Sequence, residues 1–168
     1  ASTASAGSNT SSKSSNQSVV SRTLNRQGST GTVLFQACQA NFDQKTVLQL
    51  CQNLMEHGAS PTIITPTGQT CLHVAALRGF ERVGRLLLNR GCPVNAVGAD
   101  GNAAIHIAML AGHGHFIELL ADFGANCHLR NAGSRAALDL AGTTVATQMN
   151  REELRRIMLS VEPRLRTL

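Results

Sequence analysis

The sequence predicts an all-α solenoid of about four helix–turn–helix units with a C-terminal capping helix. Three observations predict it. The stretch GQTCLHVAALRGF at 68–80 returns as GNAAIHIAMLAGH, 33 residues later. Leu72, Ile105 and Leu138 keep that step, as do Ala75, Ala108 and Ala141, and Gly58, Gly91 and Gly124. Within each copy the apolar residues fall three and four apart, on one helical face. A fixed period of this length means that each unit is one supersecondary element stacked on its neighbours.

The elements follow in chain order. Residues 1–30 contain ten Ser and few aliphatic residues. Such a segment buries too little surface to offset its conformational entropy, so a disordered tail or linker is expected. Its Arg26-Gln27-Gly28-Ser29 run makes Ser29 a candidate for a basophilic kinase; a plain flexible linker is the alternative. Units are expected at 31–64, 65–97, 98–130 and 131–149, the last one irregular. In the first, VLFQACQ reads as the first helix, and extra residues around ANFDQK should lengthen the loop between its helices. In the second, Leu72, Ala75 and Ala76 share one face, and the small alanines let neighbouring helices approach closely. Gly79 stops that helix. Val83, Leu86 and Leu87 mark the next one, and Gly91 stops it as a left-handed C-cap would. Pro93 and Gly98 keep the exit extended. After the fourth start, TTVATQMN should be an irregular connection. Within 150–168, Asn150 and Glu153 form a capping-box pair. Leu154, Ile157 and Met158 then line one face of a terminal helix that closes the stack, and Pro163 opens a linker.

Composition narrows the function. The net charge is +5. It divides into +3 for 1–30, zero for 31–150 and +2 for 151–168. The repeats therefore lack the positive field that a phosphate backbone demands, and nucleic acid is not the expected partner. There is no Trp or Tyr for base stacking. No apolar run approaches the length of a membrane span, and the N-terminus lacks the apolar core of a signal peptide. The chain begins with Ala rather than Met, which reads as an excised fragment or processed product. Cys38, Cys51, Cys71, Cys92 and Cys127 are scattered without a CxxC pair, as free thiols in a reducing compartment would be. His113-Gly114-His115 is the tightest His cluster, but no cysteine pair joins it at zinc-finger spacing. No metal and no cofactor are expected.

GQTCLHVAALRGF…LLLNRGCPVNA resembles the ankyrin-repeat pattern G-x-T-P-L-H-x-A-A-x-x-G…L-L-L-x-x-G-A-x-V-N. GNAAIHIAMLAGHGHFIELLADFGANCHL matches nearly as well, SRAALDLAG resembles the start of a third unit, and NLMEHGASPTI the end of a preceding one. The resemblance covers about residues 32–142. It departs where Cys71, Ala104 and Ala137 replace the family's Pro. Thr70 is kept but is Ala103 and Ala136 in the later units; a lost hydroxyl cap costs about 1 kcal/mol, so those units should be softer. Asp139 stands where His73 and His106 would repeat.

The resemblance implies a non-catalytic module whose histidines tie adjacent turns, and a neutral imidazole that donates and accepts at once suits that job. No nucleophile, zinc-protease or P-loop motif is present, and GHGH at 112–115 reads as an inter-helix turn. Family-variable positions map to the turn residues Pro66, Thr67 and Gln69, then Ala99, Asp100 and Asn102, then Ala132, Gly133 and Arg135. The concave wall maps to Leu77 and Arg78, then Leu110 and Ala111. Leu77 and Leu110 suggest an apolar contact strip, or simple packing on neighbours. Arg78, Arg82 and Arg85 could line one edge and dock an acidic peptide or a phosphate, or form a solvated surface. The expected partner-binding residues are thus Gln69, Leu77, Arg78, Asp100, Asn102, Leu110 and Arg135. The expected protein is a cytoplasmic or nuclear scaffold, monomeric in isolation, that binds a partner protein or peptide. The alternative is the regulatory or targeting arm of a larger enzyme or of a transcription or signalling regulator.

Overall fold

A computed structural model describes residues 19–28 and 31–140, together with positions 156, 159 and 160. Helical residues 19–24 (α1) are followed by α2 (Val33–Gln39), α3 (Gln44–Glu56), α4 (Cys71–Arg78), α5 (Glu81–Asn89), α6 (Ala104–Ala111) and α7 (Gly114–Asp122). A 3-10 turn over Ala137–Leu140 comes next. Among the described residues there are no strands, only isolated bridges such as Val97–Ala103 and Arg130–Ala136.

The helices stack in two rows. The inner row runs α2, α4, α6 and then the 3-10 turn; the outer row runs α3, α5, α7. Each inner helix also packs on the outer helix of its own unit. The spacing seen in the sequence explains the core. Leu34, Leu72 and Ile105 occupy the same place in successive inner helices and are fully buried. Burying one such side chain contributes about 1.5–3 kcal/mol. Ala37, Ala75 and Ala108 are buried between neighbouring inner helices, which need that smallness to touch. In the outer row Leu87 and Leu120 complete the core. Gly84 gives α5 a flat spot, because a Cβ there would lie 2.6 Å from the Phe116 ring of α7.

Local chemistry sets the helix ends. The Thr32 side chain accepts from Phe35 N at 3.3 Å. Asp43 accepts from Lys45 N at 3.1 Å and from Thr46 N at 3.2 Å. The Thr46 side chain and backbone hold its carboxyl below the usual carboxylate range. Gly79 and Gly112 end α4 and α6 in the left-handed region, with φ of 66° and 75°. Of GHGH, only Gly112 and His113 form the inter-helix turn, His113 as the N-cap of α7; Gly114 and His115 already belong to α7.

Two expectations need correction. The extra residues of the first unit do not all enter a loop. The α2–α3 connection is residues 40–43, but α3 itself has 13 residues against 9 in α5. Asp43 caps α3, and the amphipathic run from Val47 through Cys51 to Met55 buries the added turn. The tail is not structureless throughout. Asn25 Nδ2 donates to Gly58 O at 2.9 Å, its Oδ1 accepts from Ser60 N at 2.7 Å, and Gln27 Nε2 donates to Ile64 O at 2.6 Å. Asn95 makes the same pair of contacts to Gly124 O and Asn126 N. The tail is therefore tied to the first unit as one unit is tied to the next. The fourth unit holds a 3-10 turn where the earlier ones begin an α-helix. Residues 141–150, Ser29 and the Asn150/Glu153 box with Leu154, Ile157 and Met158 lie outside the described residues. Positions 156, 159 and 160 are helical and exposed.

Candidate functional site

The residues with the most chemistry are built into the fold. His73 Nδ1 accepts from Thr70 N at 3.1 Å, and the Thr70 hydroxyl lies 2.9 Å from the same nitrogen. Its Nε2 lies 3.1 Å from Asn102 O in the next turn. A carbonyl oxygen only accepts, so Nε2 carries the proton and Nδ1 is the acceptor. His106 repeats the arrangement, with Ala103 N at 3.1 Å and Leu129 O at 2.8 Å. Burial pushes both imidazoles below the ordinary histidine value and keeps them neutral. Asp139 keeps half of the job, accepting from Ala136 N at 2.9 Å through Oδ2.

The five cysteines are buried and form no disulfide. The contact with Cys38, 3.6 Å between sulfurs, and burial together push the Cys51 thiol up; burial raises Cys92. Thiols held protonated and inside are poor nucleophiles and poor ligands. Among the described residues no three His, Cys, Asp or Glu side chains gather as a metal site.

The projecting turns form a regular edge. Thr65 N–Gln69 O, Gly98 N–Asn102 O and Asn131 N–Arg135 O close three equivalent tips at 2.8, 3.0 and 3.0 Å. Each tip also bonds the next: Ala99 N donates to Thr67 O at 2.9 Å, and Ala132 N to Asp100 O at 3.0 Å. The residues at 68, 101 and 134 have φ of 77°, 68° and 58°. A Cβ on Gly68 would stand 2.8 Å from Val97 O, and one on Gly101 would stand 2.6 Å from Ala132 N. Glycine is needed there twice over, for the left-handed backbone and for the close approach of the next tip. In the third tip the glycine stands one place early, at Gly133, and Ser134 takes the left-handed position.

Between the tips and the inner helices lies a groove of about 510 Å³. Gln69, Leu77, Asp100, Asn102 and Leu110, five of the seven expected partner-binding residues, line it together. An adjoining groove of about 500 Å³ shares Gln69, His73, Leu77 and Ile107 with the first and extends past Arg78 to Gln39. Leu77 is 62% exposed, and Leu110 is half-buried. Asn102 is partly structural, since its Oδ1 accepts from Asn131 Nδ2 at 2.9 Å. Arg135 is exposed on the third tip, outside both grooves.

Arg78 does not present a free guanidinium. It donates to Cys38 O at 3.2 Å, to Ala40 O, and to Phe42 O at 2.8 Å, and it lies 4.3 Å from the Phe80 ring centroid. Cys38 O and Ala40 O lie at the C-terminal end of α2 and Phe42 O in the α2–α3 connection, so a cation from the next unit sits at the negative end of that helix. His113 serves the end of α4 similarly, with Nε2 3.2 Å from Leu77 O. The expected basic edge of Arg78, Arg82 and Arg85 is thus divided. Arg78 turns inward, while Arg82 and Arg85 are exposed on α5, Arg85 pairing with Glu81 at 3.4 Å.

Two groove residues escaped the sequence reading. Ile107 is half-buried and belongs to both grooves. Its place three residues before Leu110 on one helix is the signal that could have found it. Gln39 sits in α2 where Leu77 sits in α4, as laying VLFQACQ over CLHVAAL would show.

No helix among the described residues is long and apolar enough to cross a membrane. A family model for ankyrin repeats, in three copies, matches residues 34–131. Comparison with curated proteins finds none that matches. Repeats of this kind are generally protein–protein interaction modules and typically non-catalytic. With the match covering more than half of the chain and the helix pairs stacked in register beneath it, this protein belongs to the ankyrin-repeat family.

Proposed function

We propose that the chain is a non-catalytic scaffold that grips a segment of a partner protein through its turn tips and concave helix face. Gln69, Leu77, Asp100, Asn102 and Leu110 make the contact, with Arg135 available on the far tip. The observation that carries this reading is their convergence on one groove, with a leucine 62% exposed in its wall. A bulky aliphatic side chain left in water on a concave surface is what a partner's apolar anchor covers. The buried neutral histidines and buried thiols support a structural role for the reactive residue types. The zero net charge of 31–150 favours a protein partner over nucleic acid. Five buried cysteines that form no disulfide favour a reducing compartment, cytoplasmic or nuclear.

Arg78 belongs to this surface as its support rather than as a contact, so it is left intact in the test. The Leu77→Ala/Leu110→Ala double variant and the wild type are each immobilised, and the proteins they retain from a lysate are identified by mass spectrometry. Proteins held by the wild type should be lost from the variant while its far-ultraviolet spectrum stays unchanged. Identical retention by both would refute the site.

A further inference from the structure

The chemistry of the groove selects its occupant more narrowly than "a protein". We infer that it takes an extended partner segment carrying one aliphatic anchor and, a short distance along, one Lys or Arg; this rests on the interaction reading above. Three features of the groove point to it.

The first is the apolar wall. Leu77, Ile107 and Leu110 face one hollow from two successive inner helices, and Leu77 is 62% exposed. One aliphatic side chain fits against three such neighbours; a long apolar helix face would need a wall that continues, and the equivalent position on α2 is Gln39.

The second is charge. The charged residues lining the two grooves are Asp100 and Arg78. Arg78 is held by three carbonyls and an aromatic ring, and releasing it would uncap α2. Asp100 is exposed on the second tip, and its carboxylate forms no ion pair among the described residues. A basic side chain on the partner therefore gains an open carboxylate. An acidic one meets repulsion from Asp100 and no available guanidinium in the groove. The acidic segment that the arginine run suggested is thereby disfavoured at this face.

The third is the free amides. The side-chain amides of Gln39 and Gln69 line the grooves and have no hydrogen-bond partner among the described residues. Each offers a donor and an acceptor at once, the complement of a peptide group. A helical partner satisfies its own backbone and leaves these amides unused; an extended one presents N–H and C=O outward.

The probe is a display library of random 12-residue peptides, selected on the whole chain. Enriched peptides are then titrated by fluorescence polarisation against the wild type, Leu77→Glu and Asp100→Asn. The inference expects peptides that pair an aliphatic residue with Lys or Arg. Leu77→Glu should weaken them by on the order of tenfold or more. Asp100→Asn should weaken them by about two- to fivefold, an effect that fades as salt is raised. Peptides that depend on Leu77 but are neutral or acidic and ignore Asp100→Asn would overturn the inference and leave the interaction reading standing. Binding indifferent to Leu77→Glu would overturn both. Failure to enrich any peptide, alongside lysate proteins retained in a Leu77-dependent way, would overturn the extended segment alone.

Discussion

Replacing His106 by Ala should be among the most damaging single changes in the stack, although it lines neither groove. The ring is fully buried and joins two backbone groups from successive turns. Nδ1 accepts from Ala103 N at 3.1 Å, and Nε2–H donates to Leu129 O at 2.8 Å. Removing it strands a buried N–H and a carbonyl, each worth about 1–3 kcal/mol when left unpaired. Truncating the ring also opens a cavity beside Ile105 and the third tip. Partial relaxation and water reaching Leu129 O, whose residue is half-buried, reduce the sum. A net loss of about 3 kcal/mol remains, roughly 10 °C in melting temperature for a domain of this size. Equilibrium urea unfolding followed by circular dichroism measures it. Hydrogen exchange should show the loss concentrated around 103–106 and 129–136. A loss below about 1 kcal/mol would mean that the imidazole does not tie the units, and the structural reading of both histidines would fail.

Other predictions follow from the same contacts. Ser134→Gly should stabilise by about 1 kcal/mol, because residue 134 has φ of 58° and a Cβ is strained there; thermal melting decides, and a decrease would contradict the tip geometry. Gly84→Ala gains about 1 kcal/mol of helix propensity. The added Cβ meets the Phe116 ring at 2.6 Å, and overpacking of about 1–3 kcal/mol should win, giving net destabilisation that Phe116→Leu partly reverses. His73 and His106 titrate below their unfolded value, so the unfolded chain takes up protons first as pH falls. Their contribution is complete above about pH 6.5 and declines below it, and the His106→Ala variant should show a shallower decline in urea midpoints between pH 7 and 5.

How much of this was legible varies by residue, for physical reasons. VLFQACQ is α2 over Val33–Gln39, and Leu72, Ala75 and Ala76 are buried in α4, because helical periodicity and small residues act locally and repeat. Gly79 ends α4 in the left-handed region for the same local reason. Five of the seven expected contact residues meet in one groove because a repeat puts equivalent positions on one side of the stack. Arg78 was misread because its guanidinium reaches carbonyls some forty positions earlier, a choice that only tertiary packing makes. The lengthening of α3 was hidden because an insertion tells how many residues are added, not whether a capped amphipathic run takes them up. The helical residues 19–24 and the Asn25 tie carry no period, and serine-rich composition masked them. The 33-residue step from Gly68 and Gly101 falls on Ser134, but its left-handed backbone was not legible, because a residue with a Cβ rarely adopts that region.

The central claim is that the grip lies on the tips and the concave wall, while the outer row only supports it. Methyl NMR on the Ile, Leu and Val side chains, during titration with a partner captured through Leu77, tests that most directly. The methyl signals of Leu77, Ile107 and Leu110 should move together and saturate, while those of Val83 and Leu87 in the outer row stay still. Movement confined to the outer row, with Leu77 and Leu110 unchanged at saturation, would contradict the account.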